Sequence, residues 1–191
     1  MPLPVFTIGH STRTIEQFVA LLRAGGVEAV VDIRSVPRSR TNPQFNPDAL
    51  AEALSPYQIG HTRIAELGGL RKKSAVPPVV NGFWTNRSFH NYADYALSEE
   101  FRAGLAALKG LAAERRCAIM CAEAVWWRCH RRIVADYLLA AGREVFHLMG
   151  DDRVERAKMT PAAVTAGDGL HYPEPGAGPL VTEPTSRKET P

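Results

Sequence analysis

Short apolar runs alternate with amphipathic stretches along this chain, and the alternation sets its elements. Residues 5–9, VFTIG, are apolar and β-prone and predict a first buried strand. Residues 10–13 make a turn. Thr14 and Gln17 then stand three apart as a capping box, each side chain able to accept from the other's backbone N–H. Ile15, Phe18, Val19 and Leu22 recur at the spacing of a helix with one buried face, and Gly25-Gly26 ends it. Residues 27–33 are nearly all apolar, as in a parallel strand covered on both faces. Strand, helix and strand in this order predict a βαβ unit with a right-handed crossover.

The loop at 34–47, RSVPRSRTNPQFNP, is basic and stiffened by proline. A short helix is expected over 46–54 with Pro47 in its first turn, and a brief strand at 57–59. Residues 61–91 mix Gly, Pro, basic residues and aromatics without a clear period. Connections this long are either lids and binding loops or surface excursions with their aromatics tucked inward. A helix is expected over 91–97, and a second is capped by Ser98, with Glu99-Glu100 in its first turn and Phe101, Leu105 and Leu108 in its stripe. A strand at 117–121, an arginine-rich helix ended by Gly142 and a strand at 144–149 follow. Residues 160–172 predict one short helix and an extended piece. The pattern defines an α/β protein: a single domain over 1–173, with a mainly parallel sheet and helices on both faces. Residues 174–191, EPGAGPLVTEPTSRKETP, have little to bury and are expected to be a disordered Pro/Gly-rich tail.

Composition narrows the function classes only a little. The chain has 191 residues, 45% hydrophobic and 23% charged, which is enough for a sizeable core. A net charge of +3 suits phosphate-bearing partners without approaching a histone-like excess. No apolar run approaches the roughly 20 residues of a membrane span, so no membrane partner is expected. MPLPVFTIGHS lacks a basic segment followed by an apolar one, so no signal peptide is expected either. Three unevenly spaced cysteines favour a reducing, cytoplasmic setting over a disulfide framework. The residues name no cofactor and leave the oligomeric state open.

The candidate chemistry lies in CAIMCAEAVWWRCHRR, residues 117–132. Arg128, His130, Arg131 and Arg132 gather at a helix start, where partial positive charge makes cations least welcome. Either an anion is held there, or carboxylates such as Glu123 pair with the arginines. Ligands of open parallel sheets bind beyond the carboxyl ends of the strands. Those ends deliver His10 and Ser11, then Asp32 and Arg34, then Cys121 and Glu123. The helix carrying Cys129, His130 and Arg131 begins just past the last of these. Candidate reactive groups are His10, whose ordinary titration lies near neutrality, Cys121 and Cys129. A thiol in a first helical turn among arginines should have a lowered pKa, which favours Cys129; Cys121 is either reactive or buried and inert. Candidate substrate-binding groups are Ser11, Asp32, Arg34, Glu123, His130 and Arg131, with Asp32 more suited to an ion pair with Arg34 or Arg131 than to proton transfer. Trp126 and Trp127 either stack on a base or sugar or plug the core. Cys121 is placed like the nucleophile of cysteine phosphatases and rhodaneses, but Arg128 follows after six residues, not five, and the bulky AEAVWW contains no glycine. No metal is expected, because Cys117 and Cys121 lie about 13 Å apart along a strand and Cys121, Cys129 and His130 match no zinc spacing.

Several separated motifs, in order, resemble the family catalogued as domain of unknown function 488. They are TIGHSTRTIEQFVALL, VVDIRSVPRSRTNPQF, LGGLR, FHNYADYALSEEF and MCAEAVWWRCHRRIVADYLL, covering roughly residues 5–150. The matching positions include His10, Ser11, Asp32, Arg34, Pro37, Ser39, Cys121, Glu123, Cys129, His130 and Arg131. The double tryptophan is a local variation. The resemblance implies an α/β domain with a cysteine- and arginine-containing site and leaves the reaction unnamed. Two functions follow as expectations. One is an enzyme acting on a phosphorylated or otherwise anionic small molecule or nucleotide, with Arg34 and Arg131 on the anion. The other is a non-catalytic nucleic-acid-binding module using Arg34, Arg38, Arg40 and Arg71-Lys72-Lys73.

Overall fold

A computed structural model describes residues 2–150, 153–167 and 169–176. Its core is a six-stranded sheet in the order β3-β2-β4-β1-β5-β6, with β1 Val5–Gly9, β2 Ala29–Asp32, β3 Gly60–Arg63, β4 Cys117–Cys121, β5 Val145–Leu148 and β6 Val154–Arg156. All pairings are parallel except β5 with β6. The central strands β1, β2 and β4 are buried at every position, which is why their sequences read as continuous apolar runs.

Each strand sends alternate side chains to opposite faces. Phe6, Ile8, Val30, Ala118 and Met120 meet α1 (Ile15–Ala24) and α2 (Pro47–Leu54) through Phe18, Leu22, Leu50 and Leu54. Val5, Val31, Cys117 and Ile119 meet α3 (Arg87–Tyr95), α4 (Glu99–Glu114) and α5 (Arg131–Ala140) through Tyr92, Phe101, Leu108, Ile133 and Leu138. The fold is therefore the expected single α/β domain with helices on both faces. The capping box at Thr14 and Gln17 and the Ser98 cap are both present.

Four local expectations are corrected. Residues 55–57 form a 3-10 turn, Gln58 takes a left-handed conformation, and the strand comes after them at Gly60–Arg63. Its residues GHTR are half-exposed on the sheet edge and so lack an apolar signature. Helix α3 starts at Arg87, capped by Asn86 on the N–H groups of Ser88 and Phe89. Helix α5 starts only at Arg131, behind a 3-10 turn at Trp126–Arg128. Residues 160–172 contain a two-stranded hairpin, β7 Val164–Ala166 and β8 Gly169–His171, and no helix among the described residues. Leu170 N donates to Tyr137 Oη, and Tyr172 Oη donates to Asp136 Oδ2. These bonds tie the hairpin to α5. The expected tail lies almost wholly at 177–191, outside the described residues; of its start, Glu174 lies against Gly82.

Candidate functional site

The carboxyl ends of β1, β2 and β4 lie side by side, and they deliver two separate constellations. The first is centred on Asp32, which is fully buried. Arg34 donates to it from Nε (2.8 Å), Nη2 (2.6 Å) and its backbone N–H (3.0 Å). Burial alone would push the Asp32 carboxyl up, but the Arg34 guanidinium and nearby His61 hold it below the usual carboxylate range. Arg34 also donates to Phe45 O and, from Nη1, to His10 Nε2 at 3.2 Å. The other ring nitrogen of His10 donates to Ser11 O (2.8 Å), which fixes a neutral tautomer. His10 lies buried and stacked on Phe45, with its pKa lowered first by burial and then by Arg34. Ser11 holds a left-handed backbone, φ 49°, and its N–H meets Ala122 O. Both nitrogens of His10 are thus engaged in bracing Arg34 and the turn.

The second constellation is built on β4 and the start of α5. Arg131 is 1% exposed, and Nη2 donates to Glu123 O (2.9 Å). Its Nε and Nη1 have no hydrogen-bond partner, and among the described residues it forms no ion pair with a carboxylate. A buried charge left so would be costly. Among the groups its charge acts on are the two neighbouring thiols, Cys121 and Cys129. Burial pushes the Cys121 thiol up, yet hydrogen bonding from the Cys129 thiol, the Arg131 charge and the Glu123 backbone prevail and bring it down to about 7. Cys121 is therefore the ionisable group within the chain whose anionic form the Arg131 charge favours. Cys129 goes the other way: burial and the Cys121 thiolate push it well above the ordinary range, with only Arg131 and its backbone N–H opposing. The expectation of a lowered Cys129 is thereby corrected, because Cys129 follows the 3-10 turn and precedes α5, buried beside Cys121, whose ionisation opposes its own. Alkylation near about pH 7 is expected to label Cys121 first and Cys117, fully buried with its thiol pushed up to about 11, last. Peptide mapping over a time course checks the order.

Close backbone approaches hold this site together. A Cβ on Gly9 would stand 1.9 Å from Glu123 O, so only glycine lets the Glu123 loop cross β1. A Cβ on Gly69 would stand 2.5 Å from His130 Nδ1, and Gly68 packs on Ser35. The LGG stretch is thus a seat for the His130 ring, which donates from Nε2 to Ile33 O (3.1 Å) and turns Nδ1 toward Cys129 Sγ (3.5 Å). Burial lowers His130 to about 4.

A cavity of about 320 Å³ opens over these groups. Cys121, Glu123, Arg34, Cys129 and His130 line it, but Ser11, Asp32, His10 and Arg131 do not. Arg128, which the sequence placed in the basic helix start, also lines it, as do Ser35, Val36, Gly69, Leu70 and Phe89, which were not singled out from sequence as site residues. Their signal lay in the two irregular loops, whose length and Gly, Pro and aromatic content marked them as binding-loop candidates. Trp126 stacks on His147 (centroids 4.3 Å apart, 8° between planes), and Trp127 is 46% exposed. Arg132 lies over the Trp84 ring and donates to Thr160, away from the cavity.

The fold and this site define an α/β protein with a paired-cysteine, guanidinium-supported cavity at the carboxyl edge of its sheet. The family model described as domain of unknown function DUF488 matches residues 14–138, more than half of the chain, and the chain belongs to that family. No curated protein and no solved structure matches it. No described helix is long and apolar enough to cross a membrane.

Proposed function

We propose that the protein is an enzyme whose Cys121 thiolate attacks an anionic small molecule, such as a phosphorylated compound or nucleotide, bound in this cavity. The observation that carries the reading is Arg131, buried with no carboxylate partner among the described residues, its charge acting on Cys121, which lines a cavity. A group with no structural counter-ion beside a nucleophile maintains reactive thiolate at neutral pH. Arg34 has spent four of its five N–H groups on Asp32, Phe45 and His10, so one remains for a ligand. Arg128, exposed on the rim, supplies the mobile positive charge. Val36 and Leu70, 65% and 74% exposed, offer apolar contact to the rest of the molecule. The three free thiols suit a reducing cytoplasm.

The nucleic-acid reading has less to rest on. Arg34 is buried, and Arg71 is held over the Tyr95 ring and by the Gly68 carbonyl.

Paired electrophiles test the proposal. Relative to a free thiol, Cys121 is expected to react with iodoacetate at least about threefold better than with iodoacetamide, because the cavity attracts the carboxylate. Arg128→Gln should remove that preference while Cys121 still reacts with iodoacetamide. Equal relative rates in the native protein would defeat the anionic-substrate reading.

A further inference from the structure

We propose that Cys129 is a resolving thiol, so that the protein carries out dithiol–disulfide exchange with small disulfides and closes a Cys121–Cys129 bond. The proposal rests on Cys121 being the nucleophile, and it adds a second step and a substrate class. Three geometric facts carry it. Cys121 and Cys129 line one cavity, each thiol close enough for its ionisation to bear on the other. The Arg131 backbone N–H points at Cys129 Sγ (3.5 Å), and its guanidinium acts on both sulfurs. The neutral Nδ1 of His130 lies 3.5 Å from the same sulfur, its other nitrogen being tied to Ile33 O. Cys117, the third thiol, sits at the far end of β4 and takes no part.

The Cys121 thiolate attacks one sulfur of a disulfide R–S–S–R; the S–S bond breaks, a Cys121–S–S–R bond forms, and one RS⁻ leaves. The thiolate charge that had suppressed ionisation of Cys129 is now gone, while Arg131 and its backbone N–H remain. Cys129 passes its proton to the departing thiolate and attacks Cys121 Sγ. The mixed disulfide breaks, the Cys121–Cys129 bond forms, and a second RS⁻ leaves to be protonated from water. The two protein thiols are oxidised and the small disulfide is reduced to two thiols; a small dithiol returns the protein to its starting state. The order is built in, because Cys129 stays protonated until Cys121 has been capped.

The full chain is incubated with hydroxyethyl disulfide and, separately, with oxidised glutathione, and intact mass and peptide maps are read. With at least the smaller probe, the native chain is expected to lose two hydrogen atoms as a Cys121–Cys129 disulfide and to retain no adduct. Cys129→Ser should accumulate one adduct per chain on Cys121, and Cys121→Ser should form neither product. A stable adduct on Cys121 of the native chain overturns the resolving role while leaving the nucleophile intact. Iodoacetate labelling of Cys121 with no reaction toward either disulfide also overturns it. Failure of Cys121 to react with any of these probes would instead sink the proposed function beneath it.

Discussion

Acidification from about pH 7 to about pH 5 is expected to cost this protein about 4 kcal/mol of stability through His130 and His147 alone. Burial lowers His130 from its ordinary 6.5 to about 4, and burial with the Arg131 charge lowers His147 to about 3. His147 is 2% exposed, hydrogen-bonded through Nδ1 to Thr7 Oγ1 (2.8 Å) and covered by Trp126. Between the folded and unfolded values the unfolded chain binds the proton and the folded chain does not. The stabilisation is therefore complete above 6.5 and drains away as pH falls toward the folded values. By about pH 5 each histidine has given up about 2 kcal/mol, a large share of a typical 5–15 kcal/mol. Asp136 works in the opposite sense, since burial raises its pKa and neutralising it in acid offsets part of the loss. Urea midpoints at the two pH values measure the effect. His147→Asn, which can keep the bond to Thr7 without titrating, should remove about half of it. Equal stability at both pH values would show that these rings are not held neutral.

The legible parts of the fold are those whose burial is one- or two-sided along a whole element. Val5–Gly9 and Cys117–Cys121 read as strands because both of their faces are covered. The helix with Phe18, Val19 and Leu22 read correctly because its cap and its stripe agree. Gly60–Arg63 did not, since a polar edge strand is specified by its partner Ala29–Asp32 and not by its own side chains. The hairpin of Val164–Ala166 and Gly169–His171 is too short to show any period. At the site, the meeting of Asp32 with Arg34 followed from strand-end placement. The opposite pKa directions of Cys121 and Cys129 did not, because they depend on where α5 opens and on the burial of the two thiols beside each other. Those are facts of three dimensions. The same holds for Gly69, whose LGG motif was visible while its purpose, room for His130, was not.

Replacing Arg131 by Met is expected to move the ionisation midpoint of Cys121 upward by roughly 1–3 pH units, the usual influence of an adjacent opposite charge. Near about pH 7 the thiolate fraction falls from about half to about a tenth or less, so alkylation should slow at least about fivefold. Well above both midpoints the native and variant rates should converge. Arg131→Lys, which retains a charge, should keep most of the reactivity. Stability separates this account from a structural ion pair. Had Arg131 neutralised a buried carboxylate, its removal would cost roughly 3–5 kcal/mol. Among the described residues its guanidinium donates only to the backbone carbonyls of Glu123 and Ala124, and its charge favours the ionised form of Cys121. Below the Cys121 midpoint the Met variant should therefore lie within about 1 kcal/mol of the native protein, as the lost hydrogen bond offsets the relief of a buried cation. Above it the native protein gains further. A Cys121 pKa of about 7 against an ordinary 9.0 means that the unfolded chain holds the proton through that interval, so stability from this group rises with pH between the two values. Paired measurements of alkylation rate and urea midpoint across this window decide the matter. A large loss of stability with an unchanged alkylation midpoint would make Arg131 a scaffold residue and remove the basis for a reactive Cys121.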